Sequence, residues 1–150
     1  MTTPTSRSNL RRLLALPLHD QRLLCEAWWR LVAAAVRLRL RPARAIALAL
    51  VEPGAEWADA GHSELPEPPE SLALAVGRAG AHHLLPMTCL PRALALQRML
   101  RRRGYSAVVR IGVRKVAGGV SAHAWVEVGG CALGEPEAIA ERFLPLLPGG

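Results

Sequence analysis

The chain has 150 residues, 51% of them hydrophobic, and a formal net charge of +7, which describes one ordinary domain with ample apolar content for a core and excludes disorder along the whole length. Lys115 is the only lysine among 19 basic residues, so the charge reads as a compositional bias toward arginine, leaving an acidic peptide or a membrane surface as partners that would suit it. With one Tyr and one Phe there is no aromatic-basic interleaving of the kind a single-strand binder uses, and no nucleic-acid partner is expected.

The N-terminus, residues 1–8, lacks the basic start, apolar run and small-residue cleavage site of a secretory signal. The longest apolar region, residues 28–51, is interrupted by Arg30, Arg37, Arg39, Arg41, Arg44 and Pro42, and a span needs about 20 mostly uncharged residues, so no membrane span is expected. Within residues 20–49, Leu23, Leu24, Ala27, Leu31, Ala34, Ala35 and Leu38 recur at three- and four-residue spacing. That predicts a helix, a break at Pro42 and a second short helix. Residues 1–60 are therefore expected to be a helical region offering a docking surface, and residues 61–150 the core domain. Residues 51–71 carry Glu52-Pro53-Gly54 and Leu65-Pro66-Glu67-Pro68-Pro69-Glu70 and read as a linker or surface loop. Residues 71–83 predict a further helix capped by Ser71. No internal repeat is evident.

The segment after Pro86 carries the clearest helix signals. Thr88 is the expected N-cap, Pro91 falls in the first turn, and Arg101-Arg102-Arg103-Gly104 supplies cations and a glycine stop at the end. Cys89 then stands at a helix N-terminus, on one face with Ala93, Leu96 and Leu100. Orphan N–H groups and the positive dipole end favour a thiolate there, although the same direction suits an inert buried thiol. Next, Tyr105, Ala107, Val109, Ile111 and Val113 alternate with polar residues, Ala117-Gly118-Gly119 turns the chain, and residues 120–128 alternate again. A Gly129-Gly130 turn leads to a third short strand, Cys131-Ala132-Leu133. A helix followed by antiparallel strands makes the class α+β. On the second strand Ser121, His123, Trp125 and Glu127 share a face, and His123 is flanked by the small Ala122 and Ala124, which let another element approach.

A cysteine–histidine pair needs a third group to orient the imidazole. Glu135, at the end of the third strand, is the candidate, with Glu127 and Glu137 as competitors. Glu127 has the right parity but lies four residues along the strand from His123, roughly 13 Å away. His82 and His83, with His62 or Cys131, have no recognised metal-ligand spacing and read as loop residues, so neither metal nor cofactor is expected. Cys25, Cys89 and Cys131 are too far apart for a disulfide framework and fit a reducing cytoplasm. Cys25 and Cys131 read as packing residues.

Cys-Leu-Pro-Arg-Ala-Leu-Ala-Leu from Cys89, then Leu-Arg-Arg-Arg-Gly-Tyr-Ser-Ala, the Ile-Gly-Val-Arg strand and Ala-His-Ala-Trp-Val-Glu-Val-Gly-Gly closely resemble the lasso peptide biosynthesis B2 proteins, which are transglutaminase-like cysteine leader peptidases. The match is strong over residues 89–135 and looser over the N-terminal region. The resemblance implies a papain/transglutaminase-like core in which a catalytic helix packs on a small antiparallel sheet. It implies a catalytic triad of Cys89, His123 and Glu135, the last standing where the family has an aspartate. It also implies removal of the leader from a ribosomally made precursor peptide in the cytoplasm, a separate leader-recognition protein of B1 type as partner, and an ATP-dependent lasso cyclase as a further one. Trp28 and Trp29 would belong to the docking surface or to the core. The rival readings are an acyltransferase, in which an amine captures the thioester, and a non-catalytic peptide-binding module.

Overall fold

A computed structural model describes residues 15–40, 67–82, 87–135 and 139–146. The expected second helix after Pro42, residues 51–66 of the loop expected over 51–71, and His62, His83 and Glu137 lie outside the described residues, while the end of that loop from Pro69 is helical.

Helix α1 (Leu18–Leu40) buries Leu23, Ala27, Leu31 and Ala34, an inner stripe at three- and four-residue spacing. Its first turn is fastened by the Gln21 side-chain amide, which donates to the Leu16 carbonyl at 2.8 Å. Helix α2 (Pro69–Ala81) starts two residues before the expected Ser71 cap. Pro69 at its first position brings a helical φ and an N–H that need not be satisfied, and Pro68, in the cap position, makes no side-chain capping bond. Helix α3 (Cys89–Arg101) starts after Thr88 in extended conformation, as expected, although the Thr88 hydroxyl makes no capping bond. It ends at Arg101, and Gly104 in the turn that follows has a φ of +82°, which lets Tyr105 N–H return to the Leu100 carbonyl at 3.1 Å.

Strands β1 (Ala107–Val116) and β2 (Gly119–Val128) form a hairpin in which Val116 pairs with Gly119. The two-residue strand β3 (Cys131–Ala132) pairs antiparallel with Val128 and Glu127. The segment after residue 138 adds two elements absent from the sequence-based expectation, a four-residue helix α4 (Ile139–Arg142) and strand β4 (Leu144–Pro145), which pairs with Val113 and Gly112. The sheet order is β3-β2-β1-β4.

Helix α3 packs on one face of the sheet, and α1 and α2 pack against α3 and against each other. Leu31, Leu72, Met99, Leu100 and Val126 are the largest fully buried side chains, one from each long helix except α3, which gives two, and one from β2. Ala107, Val109, Ala124 and Val126 face this core, whereas Trp125 points the other way into a smaller cluster with Ile139 and Phe143. Trp28 packs against the main core, while Trp29 is 67% exposed, their rings meeting edge to face at 5.1 Å. Cys25 and Cys131 are exposed, not packing residues. Cys25 lies between Leu23 and Ala27 but off their buried stripe, and Cys131 follows a turn at the sheet edge. No helix among the described residues is long and apolar enough to cross a membrane.

Candidate active site

The brevity of β3 creates the site. Because β3 pairs only with Glu127 and Val128, and Leu133 N–H reaches the Val126 carbonyl at 2.9 Å, no strand among the described residues pairs with the β2 edge beyond that point. A cleft of about 260 Å³ lies there, with Cys89, Ala93 and Leu96 of α3 on one side, His123 and Trp125 of β2 on another, and Leu133, Gly134 and Glu135 closing it. Ala73, Val76 and Gly77 of α2 form a further wall. Cys89 is the first residue of α3 and half-buried. Ala124, beside His123, is buried at 4% exposure and lets β2 come close to the helices, but Ala122 is exposed, so only one of the flanking alanines serves that end.

Glu135 is brought to His123 by a turn. Gly134 has a φ of +68°, a conformation that L side chains rarely adopt, and a Cβ there would stand 3.3 Å from that of Ala73. The Glu135 carboxylate oxygen Oε1 is 3.0 Å from His123 Nε2. Nε2 is buried and has no formed hydrogen bond among the described residues. The carboxylate thus sits at contact distance but off the N–H direction, an attraction of charge when the ring is protonated. Catalytic hydrogen bonds of uncomplexed sites are often poorly aligned and tighten when substrate binds.

The histidine ring stands in a cluster of three aromatic rings. Trp125 lies nearly parallel to it, with centroids 6.2 Å apart and planes 16° apart, and Phe143 lies 5.4 Å away. Trp125 is fixed in turn, because its indole N–H donates to Glu127 Oε1 at 2.9 Å while Arg110 Nε donates to Glu127 Oε2 at 3.0 Å. Glu127, the competing acid, is therefore committed to Trp125 and Arg110. Among the described residues no group of three or more His, Cys, Asp or Glu side chains is arranged to hold a metal ion.

A half-buried thiol at a helix N-terminus, an imidazole and a carboxylate on one cleft are the elements of nucleophilic acyl transfer. The sequence model of the Transglutaminase-like superfamily matches residues 27–148. The chain belongs to the transglutaminase-like superfamily. Searches among curated proteins and among solved structures returned no significant match. The superfamily match spans α1 from Ala27 through β4, so it takes in the cleft and the helical layer behind it. Cysteine-based catalysis is typical of the transglutaminase-like fold, and the α+β arrangement seen here, helices on one face of a small antiparallel sheet, is that fold.

Sequence reasoning placed Cys89, His123 and Glu135, and the fold brings all three to one cleft. It missed Phe143 and the supporting role of Trp125. Phe143 is the chain's only phenylalanine, which was a signal, but the flanking elements of four and two residues are too short to show periodicity.

Proposed function

We propose that this transglutaminase-like protein is a cysteine peptidase that removes the leader from a ribosomally synthesised lasso precursor peptide, presented by a separate leader-binding protein. The observation that carries the reaction class is the convergence of Cys89, His123 and Glu135 on one cleft, with the carboxylate 3.0 Å from Nε2. The leader-peptidase assignment is supported by the motifs of residues 89–135. Since Nε2 faces Glu135, Nδ1 is the ring nitrogen that exchanges a proton with Cys89. The thiolate attacks the carbonyl preceding the core peptide, and the Cys89 backbone N–H, an orphan donor of the first helical turn, helps hold the oxyanion. His123 passes the proton to the leaving amine, and water then hydrolyses the thioester. The exposed face of α1 around Trp29 is the docking surface for the leader-binding partner, and the ATP-dependent cyclase acts on the released core.

Mass spectrometry of a cognate precursor incubated with its leader-recognition partner and this protein, or its Cys89→Ala variant, tests the proposal. Leader release by the unaltered protein alone is the expected result. Cleavage by both proteins would sink the triad, cleavage by neither would sink the peptidase reading, and leader recovered joined to an amine would identify an acyltransferase.

A further inference from the structure

The cleft holds a charged side chain that the proposed triad does not use. Arg92 lines it together with Cys89, three residues further along α3, a spacing that sets Cβ atoms roughly 5–6 Å apart on one helix face. The side chain lies on α2 against two glycines. A Cβ on Gly80 would come within 3.3 Å of Arg92 Nε, and one on Gly77 within 3.6 Å of Nη2. The order of those contacts sets a direction, since the stem passes Gly80, which is not part of the lining, and ends at Gly77, which is. Arg92 is exposed as a whole, and its guanidinium end therefore lies at the rim of the cleft. A Cβ at Gly77 would make only an ordinary contact with Nη2, whereas one at Gly80 would press on the arginine stem, so Gly80 is the position that leaves the stem its room.

Among the described residues Arg92 makes no hydrogen bond or ion pair. Glu135, the one carboxylate among the described residues of the cleft lining, is in contact with His123, and Ala73, Val76, Ala93 and Leu96 offer no charge. A guanidinium fork without a partner suits a carboxylate, which it meets with two parallel N–H donors.

We infer that Arg92 is a specificity-determining residue that binds a carboxylate on the acyl donor, on or next to the residue whose carbonyl Cys89 attacks, so that the cleft selects acidic peptide donors. This rests on the proposed reading of Cys89 as nucleophile.

Two alkylating agents that differ by one charge separate the claims. With iodoacetamide or iodoacetate the Cys89 thiolate forms a carbon–sulfur bond and iodide leaves, but only iodoacetate brings a carboxylate beside the sulfur. Rates are followed at each cysteine of the full chain by peptide mapping, with the exposed Cys25 and Cys131 as internal controls. The iodoacetate-to-iodoacetamide ratio should be higher at Cys89 than at either control, by roughly two- to fivefold, the range for a partly exposed charge pair. Arg92→Gln should remove that excess and Arg92→Lys keep part of it. A ratio equal to the controls, an excess that survives Arg92→Gln, or an equal fall with both reagents overturns the inference and leaves the nucleophile in place. Iodoacetamide reacting no faster at Cys89 than at the controls overturns the nucleophile and the inference together.

Discussion

At the level of single residues, the third role in the cleft turns on one methylene and one glycine. Glu135 has a longer side chain than the aspartate of the resembling peptidases, and the left-handed turn at Gly134 returns it to His123 Nε2 at 3.0 Å. Glu135 was legible in the sequence because its place at the end of the third strand pointed to it. The shared face of Trp125 and His123 on β2 was legible too, but the contact of Phe143 with the ring was not, because Phe143 lies between α4 and β4, far along the chain. If the proposed triad holds, His123→Ala lowers leader-release turnover by roughly 10²- to 10⁴-fold, the usual worth of a general acid–base group. Glu135→Ala lowers it less, since Trp125 and Phe143 still flank the imidazole. Single-turnover kinetics read both, and full activity in Glu135→Ala would take the third role away from it.

Among the elements, the β1–β4 edge has the least slack. Gly112 pairs with His123 on one side and with Pro145 on the other. A Cβ at that position would stand 2.7 Å from Phe143 Cβ and 3.1 Å from the Leu144 carbonyl oxygen and the Trp125 ring, and the backbone carbonyl cannot swing aside as a side chain can. Gly112→Ala is therefore expected to destabilise the protein by about 1–3 kcal/mol, the range for overpacking, seen as a lower urea midpoint. Because the displaced rings flank His123, it should also slow leader release; unchanged stability and turnover together would show that the edge yields more easily than its geometry implies. The glycine stood in the sequence between the β-branched Ile111 and Val113 of that strand. Its reason, the close approach of residues 143–144, belongs to a segment with no periodic signature.

Across the whole molecule, one arginine joins parts distant in sequence. Arg103, after α3, donates through Nη2 to Glu26 of α1 at 2.9 Å and through Nε to Glu67 ahead of α2 at 2.6 Å, while Tyr105 Oη donates to the Glu67 carbonyl at 2.9 Å. Its side chain is 11% exposed. Burial by itself would lower the Arg103 pKa, but the hydrogen bonds and charges of Glu26 and Glu67 outweigh that and hold it above the usual arginine value. A raised pKa means a contribution fully present below the ordinary value and lost only as pH rises through the folded-state one, so on the arginine side it is constant through the neutral range. Arg103→Met should cost about 1–3 kcal/mol, less than a fully buried pair because both glutamates are partly solvated, with thermal or urea unfolding as the readout. A loss below 0.5 kcal/mol, roughly what an ordinary surface substitution costs, would show that the network does not tie the helices. Trp29, 67% exposed, belongs to the opposite case. If α1 is the docking surface, Trp29→Ser leaves the melting temperature nearly unchanged and weakens capture of the leader-binding protein, measured by titration calorimetry.

The sequence by itself determined the elements whose signals are local. Apolar periodicity marked the inner stripe of α1, the arginine-glycine run ended α3, and alternation with glycine turns laid out the β1–β2–β3 meander, so that residue pattern alone puts Cys89 at a helix start and His123 on a strand. Backbone geometry and side-chain period act over a few residues, and a chain can be read that far. Only the tertiary structure decided what depends on non-local contact: the truncation of β3 that opens the cleft, the addition of β4 to the far edge, the commitment of Glu127 to Arg110 and Trp125, the exposure of Cys25 and Cys131, and the course of Arg92 along the glycines of α2. Each is set by which surfaces meet when the core closes, and residues far apart in the chain carry no local mark of the neighbour that burial will give them.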